Sequence, residues 1–280
     1  MRRKVERFVL GERTLVMGVL NVTPDSFSDG GRWLDADRAA RHALHMQASG
    51  ADLIDIGGES TRPGSDAVSA EEELARVLPV LKHLRGRLAI PISIDTQKAA
   101  VAAAAIAAGA QIVNDVSALR ADPMLAAVVR RTSVPVILMH MRGRPKTMQK
   151  RPFARDVMSD VTRGLRQAAA RARAAGIPRS HILLDPGIGF GKSTQQNCEL
   201  LARLPELARL GYPLVVGASR KTFLGKLLDG APEDRRIWGT AASVAAAVLG
   251  GAHIVRVHDV AEMVQVVRVA DAIAGSGDRH

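Results

Sequence analysis

The sequence has almost no cysteine, few aromatic residues and no long apolar run. Cys198 is the one cysteine among 280 residues, so the chain cannot form an internal disulfide and lacks a Cys/His cluster for structural zinc. This low cysteine content predicts an intracellular, cytoplasmic protein. The two most apolar stretches, residues 99–110 and 241–252, are rich in alanine and shorter than the roughly 20 residues that a membrane span needs. We therefore expect both stretches to be buried helices and the protein not to bind a membrane.

The charge balance of the chain is strongly basic. Lys and Arg number 39 against 28 Asp and Glu, which gives a formal net charge of +11. Such an excess can attract a nucleic acid or an anionic substrate. The basic residues are spread along the chain, and the aromatic residues that could stack on single strands make up only 3% of it. We interpret the excess charge as a solvated surface and predict no nucleic-acid partner.

Short apolar runs rich in β-branched residues alternate with longer segments of helical composition. The predicted strands cover residues 15–20, 53–56, 90–94, 112–113, 134–138, 181–184, 213–216 and 254–257. The predicted helices cover residues 35–49, 71–85, 96–108, 122–131, 156–175, 195–210, 238–249 and 260–274. Strands that are apolar throughout are typical of a parallel sheet buried on both faces. Eight such strand–helix units predict an α/β fold of the (β/α)8 TIM-barrel class.

The organisation of the chain predicts a single domain over residues 1–280. No internal repeat, low-complexity run or Pro/Ser-rich linker interrupts the sequence. Residues 5–9, followed by Gly11 and Glu12, predict a short N-terminal hairpin that closes the barrel floor. A doubly wound open sheet is the alternative fold, although no G-x-G-x-x-G motif follows a predicted strand.

Polar residues follow every predicted strand. In a barrel of this kind the active site lies at the carboxyl ends of the strands. The residues at these ends are Asn21; Asp55, Glu59, Thr61 and Arg62; Asp95; Asn114 and Asp115; His140; Asp185; Ser219, Arg220 and Lys221; and Arg256 and His258. Each of them could instead cap a following turn or helix. Because all would meet at one mouth of the barrel, we predict a functional site there.

One subset of these residues suits a flat heterocycle. Asp95, Asn114 and Asp185 offer carboxylates and an amide, which can pair with the N–H donors and acceptors along a ring edge. No G-x-S-x-G motif and no arrangement of nucleophile, base and orienting group is apparent, so covalent acyl chemistry is not indicated.

A second subset suits an anion. Arg62 and Arg256 can form bidentate charged hydrogen bonds to phosphate oxygens, and Asn21 and His258 add further polar contacts. Two long polar loops, residues 21–31 and 57–64, carry two of these groups. We predict that both loops close over the substrate and exclude water.

Eight motifs in the chain resemble those of the dihydropteroate synthase family. They are M-G-V-L-N-V-T-P-D-S-F-S-D-G-G (17–31), D-I-G-G-E-S-T-R-P-G (55–64), S-I-D-T (93–96), V-N-D-V-S (113–117), L-M-H-M-R-G (138–143), L-D-P-G-I-G-F-G-K (184–192), G-A-S-R-K-T-F-L-G (217–225) and R-V-H-D-V (256–260). The resemblance spans nearly the whole chain. It implies condensation of 6-hydroxymethyl-7,8-dihydropterin pyrophosphate with 4-aminobenzoate, which gives 7,8-dihydropteroate and pyrophosphate, with Mg²⁺ assisting the leaving group.

The resemblance also implies a role for each motif residue. The residues implied to bind the pterin are Asp95, Asn114, Met139, Asp185, Lys221 and Arg256, among which Asp95, Asp185 and Lys221 are the implied catalytic residues. The implied ligands of the pyrophosphate are Asn21, Thr61, Arg62, Arg256 and His258, and Asn21 also meets the metal. The implied aminobenzoate slot is formed by Phe27, Pro63, Phe190 and Ser219.

Two alternatives remain open from the sequence. A pterin-dependent methyltransferase on the same barrel would use similar Asp and Asn residues, but it has no diphosphate to bind. A catalytically silent pterin-binding homologue would bind the pterin substrate without turnover. The family is usually dimeric, and the alanine-rich helices predicted at 238–249 and 260–274 could supply a self-complementary face, so we expect a homodimer.

Overall fold

The computed structural model describes residues 3–5, 8–23, 32–60, 65–143, 148 and 154–277. An antiparallel hairpin of β1 (Arg3–Val5) and β2 (Phe8–Leu10) precedes a sheet of eight parallel strands. These strands are β3 (Leu15–Asn21), β4 (Leu53–Gly57), β5 (Ile92–Asp95), β6 (Ile112–Asp115), β7 (Val136–Met139), β8 (Ile182–Asp185), β9 (Val215–Val216) and β10 (Ile254–Val257).

The parallel sheet closes into a barrel. Its strand order is β8-β7-β6-β5-β4-β3-β10-β9. At the seam, Leu184 forms a parallel bridge with Leu214, and its N–H donates to the carbonyl of Pro213 at 2.9 Å. The predicted (β/α)8 TIM-barrel class and the N-terminal hairpin are confirmed.

Helices surround the barrel, and they differ from the prediction in two places. The helices are α1 (Arg32–Ala48), α2 (Ala70–Leu84), α3 (Ala99–Ala107), α4 (Met124–Thr132), α5 (Val157–Ala174), α6 (Thr194–Ala202), α7 (Leu204–Ala208), α8 (Thr222–Leu227), α9 (Ile237–Leu249) and α10 (Val260–Gly277). The single helix predicted over 195–210 is wrong: it is broken at Arg203, and Pro205, which has no N–H to donate, lies in the first turn of α7. The short helix α8 was not predicted. No helix in the described part of the chain combines the length and the apolar character that a bilayer span requires.

The core has two parts because successive strand residues point to opposite faces. Outward residues such as Val16 and Ile54 pack under the helices. A separate inner cluster fills the lower barrel, and it consists of Leu10, Leu15, Met17, Leu53, Ile112, Ile137, Leu183, Val215 and Ile254. Leu10 comes from β2 and is 1% exposed. The hairpin therefore closes the barrel floor, as the sequence predicted.

Candidate active site

The inner face of the barrel changes from apolar to polar between its floor and its mouth. In four strands, the residue two positions after a floor residue is polar, and the strand period of two keeps it on the inner face. These pairs are Leu53 and Asp55, Ile112 and Asn114, Leu183 and Asp185, and Ile254 and Arg256. The predicted strand-end residues therefore form a polar layer directly above the apolar floor.

Arg256 lies in this layer between two carboxylates. Its Nε donates to Asp55 Oδ2 at 2.6 Å, and its Nη2 donates to Asp95 Oδ2 at 3.0 Å. Asn114 Nδ2 donates to the same oxygen of Asp55 at 2.9 Å. Asp55 is fully buried, and its Oδ1 has no hydrogen-bond partner among the described residues. Asp55 thus joins Asn114 to Arg256, and Arg256 in turn binds Asp95; the sequence had assigned all three of these partners to the site.

Asp185 and Lys221 are connected through the loop that follows β8. Asp185 Oδ1 accepts a hydrogen bond from the Gly187 N–H at 2.6 Å, and Lys221 Nζ donates to the carbonyl of Ile188. The Lys221 ammonium also lies 4.5 Å from the centroid of the Phe190 ring, within the range of a cation–π contact. One loop therefore contacts two predicted pterin ligands and carries the predicted aminobenzoate ligand Phe190.

Burial shifts the protonation of three groups in this layer, Asp95, Asp185 and Lys221, towards neutral forms. Burial, together with the charge of Asp55, raises the pKa of Asp95 to about 8. Burial also raises the pKa of Asp185, although Lys221 opposes this, and it lowers the pKa of Lys221 to about 8 against the attraction of Asp185. For Arg256, burial acts to lower the pKa, but Asp55 and Asp95 outweigh it and raise the pKa. Perturbed titratable groups that share a cleft are typical of functional sites.

Ser219 and His258 lie side by side at the mouth. The His258 backbone N–H donates to Ser219 Oγ at 3.2 Å, and His258 Nδ1 lies 3.1 Å from the same oxygen. Between Ser219 and Lys221, Arg220 adopts a left-handed φ of +58° and pairs with Asp259, its Nε donating to Oδ2 at 2.9 Å. A predicted aminobenzoate residue and a predicted pyrophosphate residue are thus in direct contact.

Three other strand-end residues lie apart from this network. Asp115 accepts hydrogen bonds from the N–H groups of Ser117 at 2.7 Å and Leu119 at 2.5 Å, so the capping interpretation holds for it. His140 lines a separate cavity of 260 Å³, where burial lowers its pKa to about 3. Met139 is buried in a small apolar cluster against which Phe190 packs.

A cleft of 1260 Å³ opens above the polar layer. The predicted site residues that line it are Asn21, Asp95, Phe190, Ser219, Lys221, Arg256 and His258. The predicted Phe27, Thr61, Arg62 and Pro63, with most of the two loops expected to close over the substrate, lie outside the described residues. Asn114 and Asp185 are buried within the layer itself.

The protein oxygens at the cleft suit a Mg²⁺ ion that is held mainly by the substrate. No group of three or more His, Cys, Asp or Glu side chains able to hold a metal occurs in the described ranges. Mg²⁺ keeps several waters and is commonly bound by one or two protein oxygens together with substrate phosphates. The half-buried Asn21, at the end of β3, lines the cleft and has a side-chain amide oxygen. One such oxygen fits this mode of binding.

Sequence reasoning gave no role to two buried residues. Asp55 was among the strand-end residues but belonged to neither chemical subset; its position two residues after Leu53 was the signal that it points inward. Lys192 ends the L-D-P-G-I-G-F-G-K motif and is 4% exposed, with its Nζ donating to the carbonyls of Gly187, Phe190 and His140. Only the folded loop shows these contacts.

Comparison with known proteins gives consistent matches. Residues 17–258 match the profile of the family described as pterin binding enzyme. The dihydropteroate synthase of Synechocystis sp. is 50% identical over 266 residues, covering 95% of this chain and 92% of that protein. The Xanthomonas albilineans dihydropteroate synthase structure with 4-aminobenzoic acid is 46% identical with a TM-score of 0.90, covering 97% of each chain. Its structure in complex with 7,8-dihydropteroate is 43% identical with a TM-score of 0.87, covering 98% of each chain.

These matches extend along nearly the whole chain and agree in both sequence and fold, which confirms the resemblance drawn from the eight motifs. The chain belongs to the dihydropteroate synthases, a family of pterin-binding enzymes.

Proposed function

We propose that the cleft condenses 6-hydroxymethyl-7,8-dihydropterin pyrophosphate with 4-aminobenzoate to give 7,8-dihydropteroate and pyrophosphate. The chain is a transferase of the dihydropteroate synthase family. The assignment to this cleft depends on its polar layer. The buried Asp55–Arg256–Asp95 network lies beneath the same opening as Asp185 and Lys221, which both contact the backbone of residues 187–188. A buried set of this composition offers fixed acceptors and cations to a ring with polar edges.

At the pterin end, Asp95, Asn114 and Asp185 bind the ring edge while Lys221 and Arg256 supply positive charge. Carboxylates accept two hydrogen bonds in one plane, so they fit paired N–H groups of the pterin. Arg256 is already held by two carboxylates, which orients its guanidinium plane before substrate arrives. Met139 belongs to the apolar cluster against which Phe190 packs, and it forms an apolar wall of the pterin site.

At the pyrophosphate end, Asn21, Arg256 and His258 bind the anion together with Thr61 and Arg62. Asn21 would hold Mg²⁺ with the diphosphate oxygens, and the ion would neutralise charge on the leaving group. Phe190 and Ser219, with Phe27 and Pro63, border the aminobenzoate. The contact between Ser219 and His258 supports a pyrophosphate site adjacent to the aminobenzoate slot.

The reaction needs no protein nucleophile. The bond between the pterin methylene carbon and the diphosphate oxygen breaks, the aminobenzoate nitrogen forms the new C–N bond, and that nitrogen loses a proton. Cationic side chains stabilise the departing diphosphate. Burial favours the protonated forms of Asp95 and Asp185 in the free protein, but N–H groups donated by the ring favour the carboxylates, which then stabilise positive charge that develops on the ring. Exclusion of water protects the reactive methylene from hydrolysis.

We also propose that the protein is a cytoplasmic homodimer and that residues 1–280 form a single domain. The single cysteine supports the location. Large apolar side chains on α9 and α10 are solvent-exposed, among them Trp238 at 81% and Val269 at 62%. Large exposed apolar groups of this kind commonly mark subunit contacts.

An assay of pyrophosphate release tests the function. Purified protein with both substrates and Mg²⁺ should release pyrophosphate and form 7,8-dihydropteroate in equal amounts. Without aminobenzoate, release should fall to background. A methyltransferase would release no pyrophosphate, and a silent homologue would bind the pterin in a calorimeter without any release; either result would refute the proposal.

A further inference from the structure

The loop between β8 and α6, residues 186–193, follows a path that favours glycine at three positions. Gly187, Gly189 and Gly191 have φ values of +66°, +85° and +63°. A Cβ at Gly187 would lie 1.9 Å from the carbonyl oxygen of His140, and one at Gly191 would lie 2.2 Å from that of Arg142. The loop therefore packs its backbone directly on the loop that follows β7. Carbonyl groups buried by such packing need donors.

Lys192 supplies those donors from inside the protein. Its Nζ donates to the carbonyls of Gly187 at 2.8 Å, Phe190 at 3.0 Å and His140 at 3.3 Å. An ammonium group has three N–H donors and no acceptor, so these carbonyls use its full capacity. The residue is 4% exposed, and no carboxylate forms an ion pair with it in the part of the chain that the structure describes.

A buried ammonium without an ion pair is costly for the folded state. Lysine is rarely buried unless it is paired. Burial here lowers the pKa of Lys192 to about 7, against the attraction of Asp185 and Asp160, neither of which forms an ion pair with it. An apolar side chain of similar length would fill the same space without a buried charge, but it would leave these three carbonyls without their Lys192 donor. The arrangement is therefore unlike ordinary core packing. What Lys192 adds, and an apolar side chain would not, is a set of hydrogen bonds that fixes the loop carbonyls in position.

The 187–190 segment contains loop groups that contact Asp185 and Lys221 at the pterin end. The Gly187 N–H binds Asp185, and the Ile188 carbonyl accepts from Lys221. The Phe190 ring lies against the Lys221 ammonium. Two of the carbonyls that Lys192 holds, those of Gly187 and Phe190, belong to the residues at either end of this segment.

We propose that Lys192 is a positioning residue for the pterin end of the reaction, which holds the 187–190 segment so that Asp185 and Lys221 face the pterin in fixed orientations. Lys192 acts through its carbonyl contacts and takes no part in bond making. This inference rests on the proposed function, because it takes Asp185 and Lys221 as pterin ligands.

The test compares Lys192→Met with the wild-type protein. Methionine keeps the length of the side chain but removes its donors, so the dissociation constant and KM for the pterin substrate should rise about tenfold, and kcat should fall by up to about 100-fold as the ligands lose their alignment. The KM for aminobenzoate should also rise, because the Phe190 carbonyl that Lys192 holds belongs to a residue of the proposed aminobenzoate slot. Calorimetry with dihydropterin pyrophosphate alone and steady-state kinetics give these values, and circular dichroism reports folding.

Two further variants make the result decisive. Lys82→Met removes the same charge from an exposed lysine of α2 and should leave all constants at wild-type values. Lys192→Arg keeps the charge, but its planar fork cannot aim three N–H groups at these carbonyls, so it should show an intermediate pterin affinity and remain available if Lys192→Met does not fold.

A purely structural role would reduce the fraction of active molecules and leave the pterin dissociation constant and both KM values unchanged. A folded Lys192→Met or Lys192→Arg protein with wild-type pterin affinity would overturn the proposal. Failure of the proposed function would look different, because the wild-type protein itself would then bind no pterin or release no pyrophosphate.

Discussion

At the residue scale, the site depends on a few buried charges that hold one another in place. Strand-end reasoning from the sequence identified Asp95, Asn114 and Arg256, because parallel strands bring their carboxyl ends to one mouth. It could not identify the role of Asp55, whose partner Arg256 is 201 positions away in sequence. The pairing of inward side chains across a barrel depends on how the barrel closes, and the local sequence does not encode that pairing.

Asp55→Asn should destabilise the protein because Arg256 would lose a fully buried counter-charge. Removing one partner of a buried ion pair costs about 3 kcal/mol or more in the free energy of unfolding. Glu199→Gln is a matched control, since Glu199 pairs with Arg203 in an exposed position and should cost less than about 1 kcal/mol. Urea unfolding measures both, and equal losses would contradict this account.

Asp95 should make stability depend on pH. Its pKa in the folded protein, about 8, lies above its ordinary value of 3.8, so between these pH values the folded state binds more protons than the unfolded state. The contribution of Asp95 is therefore complete below about pH 4 and is lost as the pH rises through 8.

The comparison of wild-type protein with Asp95→Asn isolates this contribution. Other titrating groups are present in both proteins, so their contributions to the pH dependence of the free energy of unfolding largely cancel. The difference in the free energy of unfolding, wild type minus variant, should fall steadily between pH 5 and 8 when urea unfolding is followed at each pH (roughly the range between the two pKa values). A difference that is independent of pH would show that Asp95 is not protonated in the folded protein.

At the element scale, predicted strands ended too early wherever polar residues continued them. β3, β5, β6 and β8 end at Asn21, Asp95, Asp115 and Asp185, whereas the apolar pattern stops before each of these residues. The sequence pattern identified existence and order of the strands, because burial on both faces requires apolar residues. It missed the last residue or two, since the upper barrel layer is polar for a functional reason.

The cost of replacing a glycine in the loop after β8 should depend on the space around its Cα as well as on its positive φ. Gly86→Ala and Gly191→Ala both place a side chain at positive φ, but the region around Gly86 is open, whereas a Cβ at Gly191 would meet the Arg142 carbonyl. Gly86→Ala should therefore cost only the strain of a left-handed residue, about 1–2 kcal/mol.

Gly191→Ala should cost more than Gly86→Ala and should also weaken pterin binding, because the loop must move away from the loop after β7. Thermal unfolding and pterin calorimetry of both variants give the comparison. Equal stabilities of the two variants, with unchanged pterin affinity in both, would mean that the close backbone packing is unimportant.

At the scale of the whole molecule, eight motifs in fixed order identified the family from the sequence, and the barrel explains why they lie so far apart. Each motif forms or follows one strand, so residues spread over the chain meet at one mouth. The shape of the cleft and the contacts of Lys192 could not be predicted, because they depend on how two neighbouring loops pack.

The exposed apolar side chains of α9 and α10 should form a subunit interface. Trp238 and Leu249 lie three helical turns apart on α9, so they share a face, and α10 packs beside it with Val269 and Ile273 exposed. Light scattering should give twice the mass of one chain for the wild-type protein.

Trp238→Asp should shift the protein towards monomers, because it places a charge in that interface. Met124→Asp alters a similarly exposed apolar residue on α4 and should leave the dimer intact. A monomeric wild-type protein, or a dimer insensitive to Trp238→Asp, would contradict this interface.

The most direct test of the central claim is pyrophosphate release by Asp185→Asn and Lys221→Met, measured beside the control Lys82→Met with both substrates and Mg²⁺. If the buried layer binds the pterin and stabilises its charge, both site variants should lose at least about 100-fold in kcat/KM, in line with the loss of a positioned polar group, while the control keeps wild-type activity. Aminobenzoate-dependent release that survives in both site variants would place the chemistry elsewhere in the molecule.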